Sequence, residues 1–189
     1  MIHTYLAHSQ QDTDGNLGKA YNDFAKLVPE DDWICFLDSD AIWTTKSWYR
    51  DMEKIIEENP EYSLFTCMTN RVACIYQKFD NVDEDMHDML YHRNVGANAK
   101  KTFGTKVTDI TSAQLLSGVM ILIKKSTWTD INGAPDGFLG VDNCIHERVK
   151  NIGQRVGLCS GIYVYHWYRA DNKNSANEIE KVYRSNAKK

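Results

Sequence analysis

The chain alternates short apolar runs with amphipathic stretches of helical period. Residues 2–7 predict a first strand, and the polar segment 9–15 predicts a loop after it. Leu17, Ala20, Tyr21, Phe24 and Val28 keep helical spacing, which predicts a helix over 17–28 with Pro29 as its stop. Residues 33–37 form a continuous apolar run of strand length, the pattern of a central strand buried on both faces. Thr44 or Thr45 offers a cap for a second helix over 46–59, with Trp48, Met52, Ile55 and Ile56 as its buried stripe. Pro60 follows, and residues 62–67 read as another strand. Strand, helix, strand, helix, strand within 67 residues predicts parallel strands joined by crossover helices.

The second half is less regular. Residues 71–79 are compatible with a strand, and 80–93 read as a helix whose acids sit near its amino end, where the dipole favours them. Residues 94–111 show little periodicity and read as a long loop. Residues 115–123 read as a strand interrupted by Ser117-Gly118, and 127–140 as a glycine-bearing loop. A helix follows over 142–152, with Ile145, Val149 and Ile152 on one face and Gly153 as its stop. Residues 156–165 read as a last strand, ending at His166-Trp167-Tyr168-Arg169 before a polar tail. The expected fold class is α/β: one domain, a mostly parallel central sheet and helices on both faces.

Composition narrows the function without naming it. The 189 residues carry a net charge of −4, and no Lys/Arg block exceeds two residues, so nucleic acid is not expected as a partner. No apolar run approaches the ~20 residues of a transmembrane helix, and the first residues lack the pattern of a signal peptide. Five scattered cysteines with no Cys-x-x-Cys pair read as free thiols, which points to the cytoplasm.

Four groups could carry chemistry. Asp-x-Asp occurs at 12–14, 38–40 and 83–85, but only Asp38-Ser39-Asp40 ends a buried strand. Side chains two apart on a strand point the same way, and the carboxyl ends of strands are where open α/β sheets bind ligands. Asp38 and Asp40 therefore converge, and a divalent cation relieves their repulsion; the plainer reading is an Asp capping the next turn. Asp142 follows the loop Gly137-Phe138-Leu139-Gly140-Val141 at a helix start, as a cap or as a general base. His166 ends the last strand and is a suitable ligand for a Mn-like ion. Asn16-Leu17-Gly18-Lys19 opens a helix in a way that suits a phosphate, or simply starts the helix. No nucleophile elbow, Walker loop or His-Glu-x-x-His motif is present.

Taken in order, these residues resemble glycosyltransferase family 2 on a GT-A (Rossmann-like) fold. The matching elements are Asn16-x-Gly18-x-x-x-Asn22, Phe36-Leu37-Asp38-Ser39-Asp40, Ser117-Gly118, Gly140-Val141-Asp142 with Arg148 and Gly153, and His166. The resemblance implies a metal-dependent hexosyltransferase, inverting and non-processive, that uses a nucleotide-sugar (a UDP- or GDP-sugar) and a carbohydrate or other hydroxyl acceptor. It implies Mn²⁺ or Mg²⁺ on Asp40 and His166, with Asp38 at the metal or the donor ribose. Asp142 is implied as the base. Ser9, Asn16, Gly18, Lys19, Asn22, Asp38, Ser117, Gly118, Trp167 and Arg169 are implied around the donor. It divides the chain into a nucleotide and metal half (1–67), an acceptor half (68–170) and a tail (171–189).

The chain departs from the family pattern in its first unit, which is short, so that the base must be met by Tyr5, Ala7, His8 and Ser9 or by Arg71. Only one acid precedes the acceptor helix, and the Gln-x-x-Arg-Trp motif of processive synthases is missing. Two other readings compete: a sugar-phosphate nucleotidyltransferase, and a non-catalytic nucleotide- or carbohydrate-binding module.

Overall fold

A computed structural model describes residues 1–7 and 15–167. The loop residues 8–14, with Ser9, and everything from Tyr168 onward, with Arg169 and the tail, lie outside the described residues. The elements are β1 (Ile2–Ala7), α1 (Leu17–Ala25), β2 (Trp33–Asp38), β3 (Ala41–Trp43), α2 (Trp48–Glu58), β4 (Tyr62–Thr69), α3 (Met89–Phe103), β5 (Val107–Asp109), β6 (Met120–Lys124), α4 (Lys125–Asp130), α5 (Val141–Asn151) and β7 (Arg155–His166). The fold is mixed α/β, and the sheet has seven strands in the order β1-β2-β6-β4-β7-β3, with β5 also on β7.

Alternation along the central strands explains their continuous apolar runs. Ile34 and Phe36 of β2, with Ile121 and Ile123 of β6, face a core that holds Tyr21 of α1, Trp128 of α4 and Ile145 and Val149 of α5. Cys35 and Leu37, with Met120 and Leu122, face the opposite core, which holds Met52 and Ile55 of α2. A strand packed on both sides has no polar face to show. Helices thus cover both faces, as the pattern predicts.

The sheet is mixed, however, not mostly parallel. β1 with β2 and β4 with β7 pair in parallel, whereas β6 runs antiparallel between β2 and β4, and β3 and β5 run antiparallel to β7. The chain enters β6 at the carboxyl end of β2, where the Asp38 N–H donates to the Val119 carbonyl at 3.1 Å, so the strand must run back along its neighbour. A buried strand reads as the same apolar run in either direction, so the pattern carries no sign of this.

The middle of the chain differs most from its pattern. Residues 71–79 form a loop with a 3₁₀ turn (Ile75–Gln77), and the helix expected over 80–93 starts only at Met89, after Asp88. The Asp88 side chain caps it by accepting from the Leu90 N–H at 2.8 Å. The stretch read as a long loop, 94–111, continues α3 to Phe103 and then forms β5. Gly96 misled the reading: it is a packing glycine, and a Cβ there would sit 2.0 Å from Thr44 Oγ1. Ser117-Gly118 precede β6 without interrupting it, and α4 occupies part of the loop expected over 127–140. Residue Ser47, not Thr44 or Thr45, stands at the N-cap of α2, and its side chain makes no cap bond. The helix of 17–28 is regular to Ala25 and tightens after it, with Val28 still buried.

All five cysteines are free thiols, four of them buried. Among the described residues, no helix is long and apolar enough to cross a membrane.

Candidate metal centre

Asp38 ends β2, and a turn at Ser39-Asp40 carries the chain into β3, which pairs not with β2 but with the end of β7. Ala41 is the register partner of His166, and the Trp167 N–H donates to the Asp40 carbonyl at 3.0 Å. β7 reaches this point because its pairing with β4 shifts: Cys67 faces Cys159, but Met68 faces Tyr163. The extra residues of this bulge carry the end of β7 out to the acids.

Asp38 and Asp40, which the spacing singled out, are brought together with His166. One ligand atom from each of Asp38, Asp40 and His166 lies within 4.8 Å of the others. His166 Nε2 stands 3.2 Å from Asp40 Oδ1 and 3.5 Å from Asp38 Oδ2. The imidazole is buried, while the Asp38 and Asp40 side chains keep 31% and 42% of their exposure, so the cluster opens toward solvent on its acid side.

The imidazole is fixed by its surroundings. Its Nδ1 lies 2.9 Å from the Arg71 carbonyl, which can only accept, so Nδ1 carries a hydrogen and Nε2 faces the acids. The Asn70 side chain holds the backbone on both sides: the His166 N–H donates to Oδ1 at 2.8 Å, and Nδ2 donates to the His166 carbonyl at 3.1 Å. Burial lowers the His166 pKa, but the Asp40 hydrogen bond and the two carboxylate charges outweigh it and leave the net shift upward. Burial pushes Asp38 up to about 7; the His166 charge opposes this, and Asp40 and Asp142 add to it. Such an arrangement binds a proton where a cation with oxygen and imidazole ligands would sit. Two carboxylates and an imidazole with its other nitrogen hydrogen-bonded to a carbonyl are a donor set that could hold a divalent metal ion.

Asp142 belongs to the same electrostatic neighbourhood, since its charge acts on both Asp38 and the buried phenol of Tyr21. It stands in the first turn of α5, not at the cap; Gly140, with φ 78°, holds the cap position. Its Oδ2 accepts from the Gly118 N–H at 2.9 Å and its Oδ1 from the Asn143 N–H at 2.9 Å. Burial nonetheless raises its pKa to about 6, against the pull of these backbone donors. Gly118 permits the approach: a Cβ there would lie 3.2 Å from Asp142 Cβ.

Ser117 is anchored on both sides by Gln77, whose Oε1 accepts from Ser117 N at 2.7 Å and whose Nε2 donates to Ser117 O at 3.0 Å. Ser117 Oγ accepts from the Cys74 N–H at 3.1 Å. Trp167 is half exposed and lies over the His87 ring, with centroids 4.5 Å apart.

The helix-start residues engage a loop. Asn16 Oδ1 caps α1 at Lys19 N and also accepts from Gly137 N at 3.0 Å, while Gly18 N donates to Gly137 O at 3.1 Å. Asn22 bonds both backbone groups of Ala134, each at 2.9 Å, and Lys19 pairs with Asp23. A Cβ on Gly18 would fall 1.7 Å from the Pro135 carbonyl oxygen. These residues fix the loop that leads into Asp142.

Asn70, Gln77 and the β3–β7 pairing escaped the sequence reading. One signal existed for Asn70: it follows an apolar strand whose direction matches β2, at the sheet end where ligands bind. Gln77 had none. A scan against protein-family models matches none, and a search of curated proteins finds no match.

Proposed function

We propose that this protein is a metal-dependent glycosyltransferase of GT-A type, which moves a sugar from a nucleotide-diphosphate sugar (UDP- or GDP-linked) to a hydroxyl acceptor. One observation carries the reading. Asp38, Asp40 and His166 converge at the carboxyl end of β2, with the raised carboxylate of Asp142 nearby.

Asp38, Asp40 and His166 would hold the divalent cation. When bound, it neutralises charge on the departing diphosphate. Asp142 is ionised at neutral pH but more basic than an ordinary aspartate, which suits it to take the acceptor proton. As the acceptor oxygen bonds to the anomeric carbon, the bond from that carbon to the diphosphate oxygen breaks. The electron pair leaves with the nucleoside diphosphate. Displacement from the face opposite the leaving group gives inversion. Ser117 and Gly118, tied to Gln77 and Asp142, would line the donor sugar, and Trp167 offers an exposed ring to a sugar face. We further propose a cytoplasmic, non-processive enzyme.

Turnover of UDP- and GDP-sugars with Mn²⁺, in the parent and in Asp40→Asn, tests this. We expect metal-dependent release of UDP or GDP that falls by about 10²-fold or more in the variant. Unchanged turnover in Asp40→Asn contradicts the reading. Release of pyrophosphate from a nucleoside triphosphate points instead to a nucleotidyltransferase, and nucleotide binding without turnover to a non-catalytic module.

A further inference from the structure

A groove lies at the far end of β3. α3 presents Leu90, Arg93, Ala97 and Lys101 along one face at helical spacing, and they wall a groove of about 680 Å³. The opposite wall is the turn from Thr44 to Ser47 that leads into α2, with Lys46 on it. The groove is a consequence of close packing, because α3 crosses this turn at Gly96, where a Cβ would overlap Thr44 Oγ1.

Four cations line the groove, Lys46, Arg93, Lys100 and Lys101, and among the described residues no carboxylate does. Lys100 is held in place by Asp51, at 2.8 Å, and by Ser47 Oγ at 2.6 Å. Lys46, Arg93 and Lys101 form no ion pair among the described residues. In a chain of net charge −4, three cations with no ion-pair partner among the described residues, set around one concavity, create a local positive potential that opposes the overall sign. The concavity also focuses the field and favours a compact multivalent anion over monovalent salt. Leu90 and Ala97 add apolar wall beside the charges.

We propose that this groove binds a phosphate group, either free or as a phosphate ester whose body rests on Leu90 and Ala97. Arg93 supplies a planar fork of donors for phosphate oxygens, and Lys46 and Lys101 supply charge. The site is separate from the acid cluster: β3 (Ala41–Trp43) runs between Asp40 and Thr44, and no residue of the cluster lines the groove. It does not depend on the proposed transfer reaction.

Titration of ¹⁵N-labelled protein with inorganic pyrophosphate in EDTA, read by amide shifts, tests the proposal. We expect saturable shifts confined to residues 44–47 and 90–101. They should weaken about tenfold or more in Lys46→Ala/Arg93→Ala/Lys101→Ala and persist in Asp40→Asn. Parallel arms with inorganic phosphate and glucose 6-phosphate separate the sources. Equal binding identifies the bare oxyanion, and tighter binding of the sugar phosphate identifies an ester. Shifts that do not saturate, that map to the acids, or that survive in the triple variant overturn it. The triple variant removes exposed charges only, and an unchanged spectrum without ligand confirms that it is folded.

Discussion

At His166 a proton and the proposed divalent cation would compete for one lone pair. Nδ1 is committed to the Arg71 carbonyl, so Nε2 faces Asp40, where a proton or the proposed metal would sit. This gives the metal-free protein a definite pH dependence. Asp142 and Asp38 have folded values of about 6 and about 7, above the ordinary carboxylate value, so the folded state keeps protons that the unfolded chain releases. Stability from these groups is present at low pH and falls as pH rises from about 4 through those values. His166 acts in the same direction: its raised value means that stabilisation is complete below the unfolded value and lost as pH climbs through the folded one. We expect the melting temperature in EDTA to contain a component that falls between about pH 5 and about pH 8. Mn²⁺ should raise it more at the higher pH, where fewer protons compete. Thermal denaturation at both pH values with and without Mn²⁺ checks this; a larger metal effect at low pH contradicts it.

At the scale of elements, three side-chain amides hold the loops around the site by bonding both backbone groups of one residue: Asn70 on His166, Gln77 on Ser117 and Asn22 on Ala134. Gln77 is fully buried and also donates to Thr66 Oγ1 at 2.8 Å. Gln77→Ala leaves several buried polar groups without partners, and we expect a loss of about 2–4 kcal/mol in chemical denaturation. Gly18→Ala places a Cβ against the Pro135 carbonyl, so α1 or the loop must move. The expected cost is about 1–3 kcal/mol by the same measurement. An unchanged midpoint in either variant shows that the loop is held otherwise.

The elements also show where legibility ended. β1, β2, α2, α5 and β7 stood out because period and stop signals agree in them, as at Gly153 after α5. α3 did not, because Gly96 and its asparagines look like loop formers until Thr44 is seen against the glycine. β3 is three residues long, too short for any period. The site's acids and His166 were readable as strand ends. The hold of Asn70 on His166 and of Gln77 on Ser117 was not, because these contacts join residues distant in sequence.

Over the whole molecule, the candidate metal cluster draws on both halves of the chain, with Asp38 and Asp40 from the first and His166 from the second, and Ser117 and Asp142 of the second half are proposed beside it. The reversed strand β6 joins them: it begins beside the end of β2, so Ser117 and Gly118, just before it, come to the same sheet end as the acids. We propose that this end holds a divalent cation that in turn holds a nucleoside diphosphate. Isothermal titration with Mn²⁺, followed by UDP and GDP, tests it most directly. One Mn²⁺ per chain should bind, with affinity reduced about tenfold or more in Asp40→Asn and in His166→Ala. One of the two nucleotides should bind only when Mn²⁺ is present. Nucleotide binding that is equal in EDTA, or Mn²⁺ binding unchanged in both variants, would contradict the account.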